Sequence, residues 1–147
     1  MRAIVQRVSR AEVTVEGESM GRIGRGFVIL LGVARDDTEE DAAYIADRTM
    51  GLRVFADAAG KMNLALGAVG GELMVISQFT LIADTRQRRP SFIEAAPPEL
   101  AVRLYEHLIS LTRASGVKVE TGRFGAHMEV ELVNDGPVTI ILDSRSR

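Results

Sequence analysis

Cysteine and tryptophan are absent from this chain, and histidine occurs only twice. Without cysteine there is no disulfide, no thiolate nucleophile and no sulfur-ligated metal. The two histidines, His107 and His127, lie twenty residues apart, which matches no zinc motif. No carboxylate spacing points to a calcium or magnesium site either, so neither metal nor cofactor is expected. Long apolar blocks are missing too. The longest run, Gly26 to Ala34, falls far short of the roughly 20 residues that a membrane-spanning helix needs. The N-terminus, MRAIVQRVSRAEVTV, alternates polar and apolar residues, whereas a signal peptide shows a basic start and then a solid apolar block. The cytoplasm is therefore the default compartment, with no membrane partner. Absent as well are a Gly-x-Ser-x-Gly elbow, a Walker loop and a dinucleotide fingerprint. A Ser-His-Asp triad would need His107 or His127 as its base, and sequence order neither forbids nor supports that. His107 reads as a surface or half-buried helical residue and His127 as a structural or incidental loop residue.

What is present is an ordinary globular composition. The 147 residues, 46% apolar and 26% charged, suit one domain with a real core. AIVQRV alternates as a strand, Val13 and Val15 mark a second, and GESMG supplies turn residues before the next. GFVILLGVA is continuously apolar, as a central strand buried on both faces must be. Asp37, three residues before Glu40, has the spacing of a helix cap, and Ala42, Ile45, Ala46, Thr49 and Met50 share one face behind it. LRVFAD reads as a short strand, AAGKMNLALGAVGG as a glycine-rich loop, and ELMVISQFTLIA as the next strand. Pro97 and Pro98 introduce a second helix with Leu100, Leu104, Leu108 and Leu111 as its buried stripe and Gly116 as its stop. VKVETGRF, MEVELV and, past a turn at Asn134-Asp135-Gly136, VTIILD complete the set. The expected fold is mixed α/β: a barrel-like mixed sheet with two packed helices, one domain over residues 1–147.

Net charge is −2, so any contact with nucleic acid must come from a local patch. TRQRRPSF, with Arg86, Arg88 and Arg89, is one candidate, and the tail SRSR, with Arg145 and Arg147, is another. From the residues alone, a solvated loop and a frayed end are the favoured readings.

Two stretches break the pattern. In LMVISQFTL an apolar run ends in Ser77 and Gln78, then Phe79 and Thr80. Polar groups at the end of a buried strand need partners, and strand ends near loops are where sites form. In LVNDGPVTI, Pro137 stands where a strand should begin, although proline cannot donate a ladder hydrogen bond.

SQFTL at Ser77–Leu81, together with NDGPVT at Asn134–Thr139, resembles the motif pair of the D-aminoacyl-tRNA deacylases. QRVSRAEVTV, GKMNLAL, RPSF at Arg89–Phe92 and TGRFGA at Thr121–Ala126 resemble that family as well, so the likeness spans nearly the whole chain. The resemblance implies a homodimeric hydrolase that removes D-amino acids from tRNA. It also implies a cis Gly136–Pro137 bond, with this motif of each subunit inserted into the other's active site. There the two carbonyls would form a rigid wall that rejects L-residues; glycyl-tRNA, with no side chain, would pass. Backbone N–H groups near Phe79 and Thr80 would bind the ester carbonyl, Ser77 and Gln78 would shape the pocket, and the 2′-hydroxyl of the terminal adenosine would orient the attacking water. Thr80 and Thr139 have no evident base and are assigned to positioning. Arg7 matches an arginine that holds the Gly-Pro element, with Asn134, Val138 and Thr139 in support. Arg86, Arg88 and Arg89 would contact tRNA phosphates, although the residues before RPSF depart from the family's usual small or apolar type. The SRSR tail extends past the family's usual end. Two other readings stand beside this one: a nucleic-acid-binding protein without hydrolysis, and an editing enzyme with a trans Gly-Pro bond that admits some L-substrates.

Overall fold

The computed structural model describes residues 1–147. Its elements in chain order are β1 (Arg2–Val15), β2 (Glu18–Ile23), β3 (Gly26–Gly32), α1 (Glu39–Gly51), β4 (Phe55–Ala56), β5 (Met62–Leu64), β6 (Glu72–Ser77), α2 (Pro98–Ala114), β7 (Val119–Thr121) and β8 (Glu129–Asp143). Short 3-10 turns lie at Leu66–Val69 and Phe79–Ile82.

β1 is one strand where the sequence pattern reads as two. Its buried residues change phase along the chain, from Ala3 and Val5 to Val8 and then to Ala11, Val13 and Val15. Irregularities in the pairing with β8, between Gln6 and Val8 and again between Val8 and Arg10, cause this. A one-residue slip sends every following side chain to the other face. GESMG falls largely within β2, and the turn before it is made by Glu16 and Gly17.

The sheet runs β2-β1-β3-β6-β7, with β8 on the other side of β1. β3 and β6 pair in parallel, as do β6 and β7. Parallel neighbours need long crossovers, which α1 and α2 supply. β3 is buried on both faces, as its apolar run requires: Phe27, Ile29 and Leu31 pack toward the helices, and Val28 joins Val8, Val13, Met74 and Ile76 on the other side. β2 and β7 close the barrel-like curve without a ladder. A Cβ at Gly21 would stand 2.9 Å from the Glu120 carboxylate and 3.3 Å from the Thr121 carbonyl. Lys118 holds Glu72 at this seam, N to O 2.9 Å, and lowers the Glu72 carboxyl's pKa.

α1 begins one residue later than the Asp37 spacing implies. Thr38 is the cap, and the Asp41 carboxylate accepts its N–H at 2.8 Å. Burial alone would raise the Asp41 carboxyl; hydrogen bonds from the Ser144 hydroxyl and the Thr38 N–H, with the N-terminal charge, outweigh it and hold the pKa at about 2. Asp37 is buried instead, accepting from the Met1 ammonium at 2.7 Å and the Ala34 N–H at 2.6 Å. Buried carboxylates survive only when paired in this way. α2 starts with Pro98 at its first helical position, where the missing N–H costs nothing. Its buried stripe is Ala101, Leu104, Tyr105, Leu108, Ile109 and Thr112, so Leu111 lies outside it and Leu100 is only half-buried. Each fully buried Leu here contributes roughly 1.5–3 kcal/mol.

Three further expectations change. β6 stops at Ser77 and the chain turns through Phe79–Ile82. The glycine-rich stretch contains β5, which pairs with β4 in a small hairpin. β8 is continuous from Glu129 to Asp143, with no reversal at Asn134-Asp135-Gly136. The tail is also tied down: Arg145 pairs with Asp36, and Arg147 with Asp41 at 3.1 Å. No helix is long and apolar enough to cross a membrane.

Candidate active site

The apolar run Leu73–Ile76 carries β6 through the core and delivers Ser77 at its end. Gln78 extends the parallel ladder by one bond, its N–H reaching the Leu31 carbonyl at 2.8 Å. The chain then tightens into the 3-10 turn, whose first bond runs from the Leu81 N–H to the Gln78 carbonyl at 3.2 Å. The N–H groups of Phe79 and Thr80 precede that bond, in the part of a helical turn whose donors have no partner within it. The turn lies directly on Gly32 of β3. A Cβ there would come 2.9 Å from Leu81 Cβ and 3.1 Å from the Gln78 carbonyl oxygen. Only glycine permits this approach.

A cavity of about 550 Å³ opens beside the turn, within the range of small-ligand sites. Val33 and Ile76 line its sheet side, and Ser77, Gln78 and Phe79 line one wall. Pro98 and Ala101 from the first turn of α2 line another, and the loop between β7 and β8 contributes Phe124 through Met128. Phe92 packs edge-on against the exposed Phe79 ring, centroids 5.1 Å apart at 75°. The lining is mainly apolar, with Ser77, Gln78 and His127 as polar exceptions. The Thr80 hydroxyl takes its side-chain hydrogen bond from the Gln78 amide, which cannot accept a proton as a base does. No three His, Asp or Glu side chains converge so as to hold a metal ion.

The second motif is elsewhere. None of residues 134–139 lines this cavity. The ladder pairs Gln6 with Thr139 and Val8 with Asn134, so residues 135–138 bulge out opposite Arg7 alone. Gly136 and Pro137 are exposed on this bulge, and the bond between them is cis. Asn134 closes its base: its side-chain oxygen accepts the Val138 N–H at 2.7 Å, and its amide donates to the Val138 carbonyl at 3.2 Å and the Thr139 hydroxyl at 3.1 Å. The Arg7 guanidinium donates to the Asp135 carbonyl at 2.8 Å and also to the Val54 carbonyl. A guanidinium fork is suited to locking two carbonyls at once.

The arginine loop is pinched at its base, where Asp84 and Ser91 exchange backbone bonds of 2.8 and 2.9 Å. Arg86 folds back on Asp84 through bonds of 2.9 and 3.0 Å and draws its carboxyl down to about 2. Arg88 and Arg89 have no carboxylate within ion-pair distance. The structure thus brings Ser77–Thr80 and the arginine loop to one end of the molecule and leaves Arg7, Asn134, Gly136 and Pro137 on the separate bulge. Sequence reading missed Pro98, Ala101 and Met128 and set His127 aside, although His127 stands at the cavity rim. The usable signal was the glycine-flanked phenylalanine of GRFGAH, a loop spelling that brings an aromatic residue to a surface.

A family model described as D-Tyr-tRNA(Tyr) deacylase matches residues 4–143. A protein of Anaeromyxobacter dehalogenans (strain 2CP-C), named D-aminoacyl-tRNA deacylase, is 61% identical over 146 residues, covering 99% of this chain and 98% of that one. A protein of Thermotoga petrophila with the same name is 57% identical over 145 residues, 98% of this chain and 97% of the relative. Among solved structures, the c-Myc DNA Unwinding Element Binding Protein superposes with a TM-score of 0.92 at 39% identity, covering 97% of this chain and 98% of that one. A probable eukaryotic D-amino acid tRNA deacylase superposes at 0.85 with 15% identity, over 96% and 97% of the two chains, a likeness of fold alone.

Proposed function

The chain belongs to the D-Tyr-tRNA(Tyr) deacylase family, and from that premise we propose that its cavity hydrolyses the ester of D-aminoacyl-tRNA against a wall supplied by a second copy. It is a hydrolase acting on the aminoacyl-tRNA ester bond. One observation carries the proposed arrangement: the cavity walled by Ser77, Gln78 and Phe79 and the Gly136–Pro137 bulge are separate within one chain, the bulge standing exposed on a strand whose outer edge is unpaired. An open fifteen-residue edge strand with Val133 and Ile141 exposed invites pairing with another chain. A symmetric dimer would then place each bulge at the other subunit's cavity.

In that arrangement the apolar wall of Phe92, Phe124 and Met128 receives the terminal base, since aromatic faces stack any base. The ester carbonyl points at the Phe79 and Thr80 N–H groups, which stabilise the oxyanion formed when water attacks. The bond from the carbonyl carbon to the ribose oxygen then breaks, and the proton goes to that oxygen. With no side-chain base at Thr80, water is oriented by the substrate's own 2′-hydroxyl. The Gly136 and Pro137 carbonyls face the substrate's α-carbon and ammonium group. An L side chain runs into them and a D side chain points away, so chirality is read without any contact to the favoured side chain.

Two results test this reading. Thr80→Ala keeps most of the turnover in a single-turnover assay on D-tyrosyl-tRNA; complete loss with an unchanged melting curve would make Thr80 the nucleophile. Glycyl-tRNA is hydrolysed at a measurable rate, since glycine presents no side chain to the wall; full activity on D-residues with none on glycyl-tRNA would remove the steric account. A second reading, nucleic-acid binding without hydrolysis, draws on the DNA-binding name of the solved structure at 39% identity. Such binding would survive any substitution at Gly136 that hydrolysis does not.

A further inference from the structure

A second cavity, of about 580 Å³, lies along α2 on the far side of Phe124. Phe124 lines both cavities, so the two share a wall. α2 contributes Pro98 and Ala101 to the first and Tyr105, Ile109 and Arg113 to the second. At 1.5 Å per residue, Pro98 to Arg113 spans about 22 Å, the length of several nucleotides rather than of one amino acid ester.

Two arginines, Arg113 and Arg123, line this cleft. Arg123, exposed on the loop after β7, makes a single side-chain hydrogen bond, donated to the Met20 sulfur at 3.7 Å. Arg113 spends one N–H on the Val119 carbonyl at 3.1 Å. Like Arg88 and Arg89, neither has a carboxylate within 4 Å, whereas Arg2, Arg10, Arg22, Arg86, Arg145 and Arg147 all do. Glu106 is the one acidic residue lining this cavity. Two guanidinium groups without an acidic partner, both lining one cleft, suit an anionic chain, and guanidinium matches phosphate geometry through paired donors. The Tyr105 ring lies 5.9 Å from Phe124, centroid to centroid, and supplies an apolar floor between them.

We propose that this second cavity holds the single-stranded 3′ end of the tRNA, with Arg123 and Arg113 on the phosphodiesters that precede the terminal nucleotide. The inference rests on the deacylase reading for the identity of the RNA. It assigns phosphate contacts to a different face from Arg86, whose guanidinium is held by Asp84. Phosphate contacts position a nucleic acid and set its salt dependence without touching the chemistry.

The test compares Arg123→Glu with the unaltered protein on two esters, D-tyrosyl-tRNA and 3′-O-D-tyrosyl-adenosine, which has no phosphodiester. The expected result is a several-fold rise in KM for the tRNA, an unchanged kcat, a salt slope shallower by about 1, and unchanged hydrolysis of the adenosine ester. Equal losses on both esters, or no loss on the tRNA, would overturn the assignment. Arg48→Glu, a charge reversal on α1, serves as the control and leaves both substrates unaffected. Fluorescence anisotropy of uncharged tRNA reads the cleft without hydrolysis. Weaker binding by Arg123→Glu alone supports it even if neither ester is cleaved, an outcome that would sink the deacylase reading instead. Equal binding by both variants and the unaltered protein would refute the cleft.

Discussion

Gly136→Ala lowers kcat/KM for D-tyrosyl-tRNA by at least about 100-fold, the scale of loss that a misplacement near 1 Å produces, and leaves the melting temperature close to that of the unaltered protein. The added methyl would stand 2.8 Å from both the Val138 nitrogen and its Cγ2, and 3.3 Å from the Arg7 guanidinium. Backbone atoms are among those contacts, so a side-chain rotation alone cannot relieve them. Gly136 also has a φ of +146°, a conformation that alanine adopts at a cost. The bulge must therefore shift, and its carbonyls shift with it. Because the bulge is exposed on an edge strand and held at its base by Asn134, the core should not register the change. Circular dichroism and thermal melting check the fold, and single-turnover hydrolysis checks the site. A variant with full activity would mean that these carbonyls do not touch the substrate.

Gly32→Ala is expected to lose roughly 10²-fold or more in kcat, the range seen when one oxyanion donor is displaced, with a smaller change in KM. A Cβ at Gly32 pushes on Leu81 Cβ at 2.9 Å and on the Gln78 carbonyl at 3.1 Å, on either side of the Phe79 and Thr80 N–H groups. The turn has to lift by a few tenths of an ångström or more, which tilts both donors. Gly32 lies within the buried sheet, so some stability is lost as well; comparing kcat well below the variant's melting temperature separates the two effects. A normal kcat in a folded variant would show that the turn's position does not govern the reaction.

The two variants together test the exchange between subunits. Gly136→Ala spoils the wall and spares the cavity, and Gly32→Ala does the reverse. If each wall serves the partner's cavity, mixed dimers refolded from the two inactive variants contain one fully intact site and recover activity. If both elements serve one chain, mixing restores nothing.

The parts legible in the sequence were those set by local chemistry. The apolar block Gly26–Ala34 reads as a central strand, which the chain forms as far as Gly32, and the Pro97-Pro98 pair reads as a helix start, where α2 begins. The SQFTL and NDGPVT stretches stood out because each breaks a strand with residues a ladder does not want. What escaped the reading was set by distant partners. Asp37 has the spacing of a cap but is taken by the Met1 ammonium, leaving the cap to Thr38 and Asp41. The NDGP stretch has turn chemistry, yet β1 runs past it on one side and holds β8 straight, so the extra residues bulge out opposite Arg7. The cavity's far wall, from α2 and the loop after β7, comes together only through the packing of α2 on the sheet. No spacing in the chain announces it.

The most direct measurement is amino acid release from D-tyrosyl-tRNA and L-tyrosyl-tRNA by the purified protein, side by side with no metal added. The account predicts rapid release from the D-ester and none above background from the L-ester. Equal release from both, or release from neither, would contradict it.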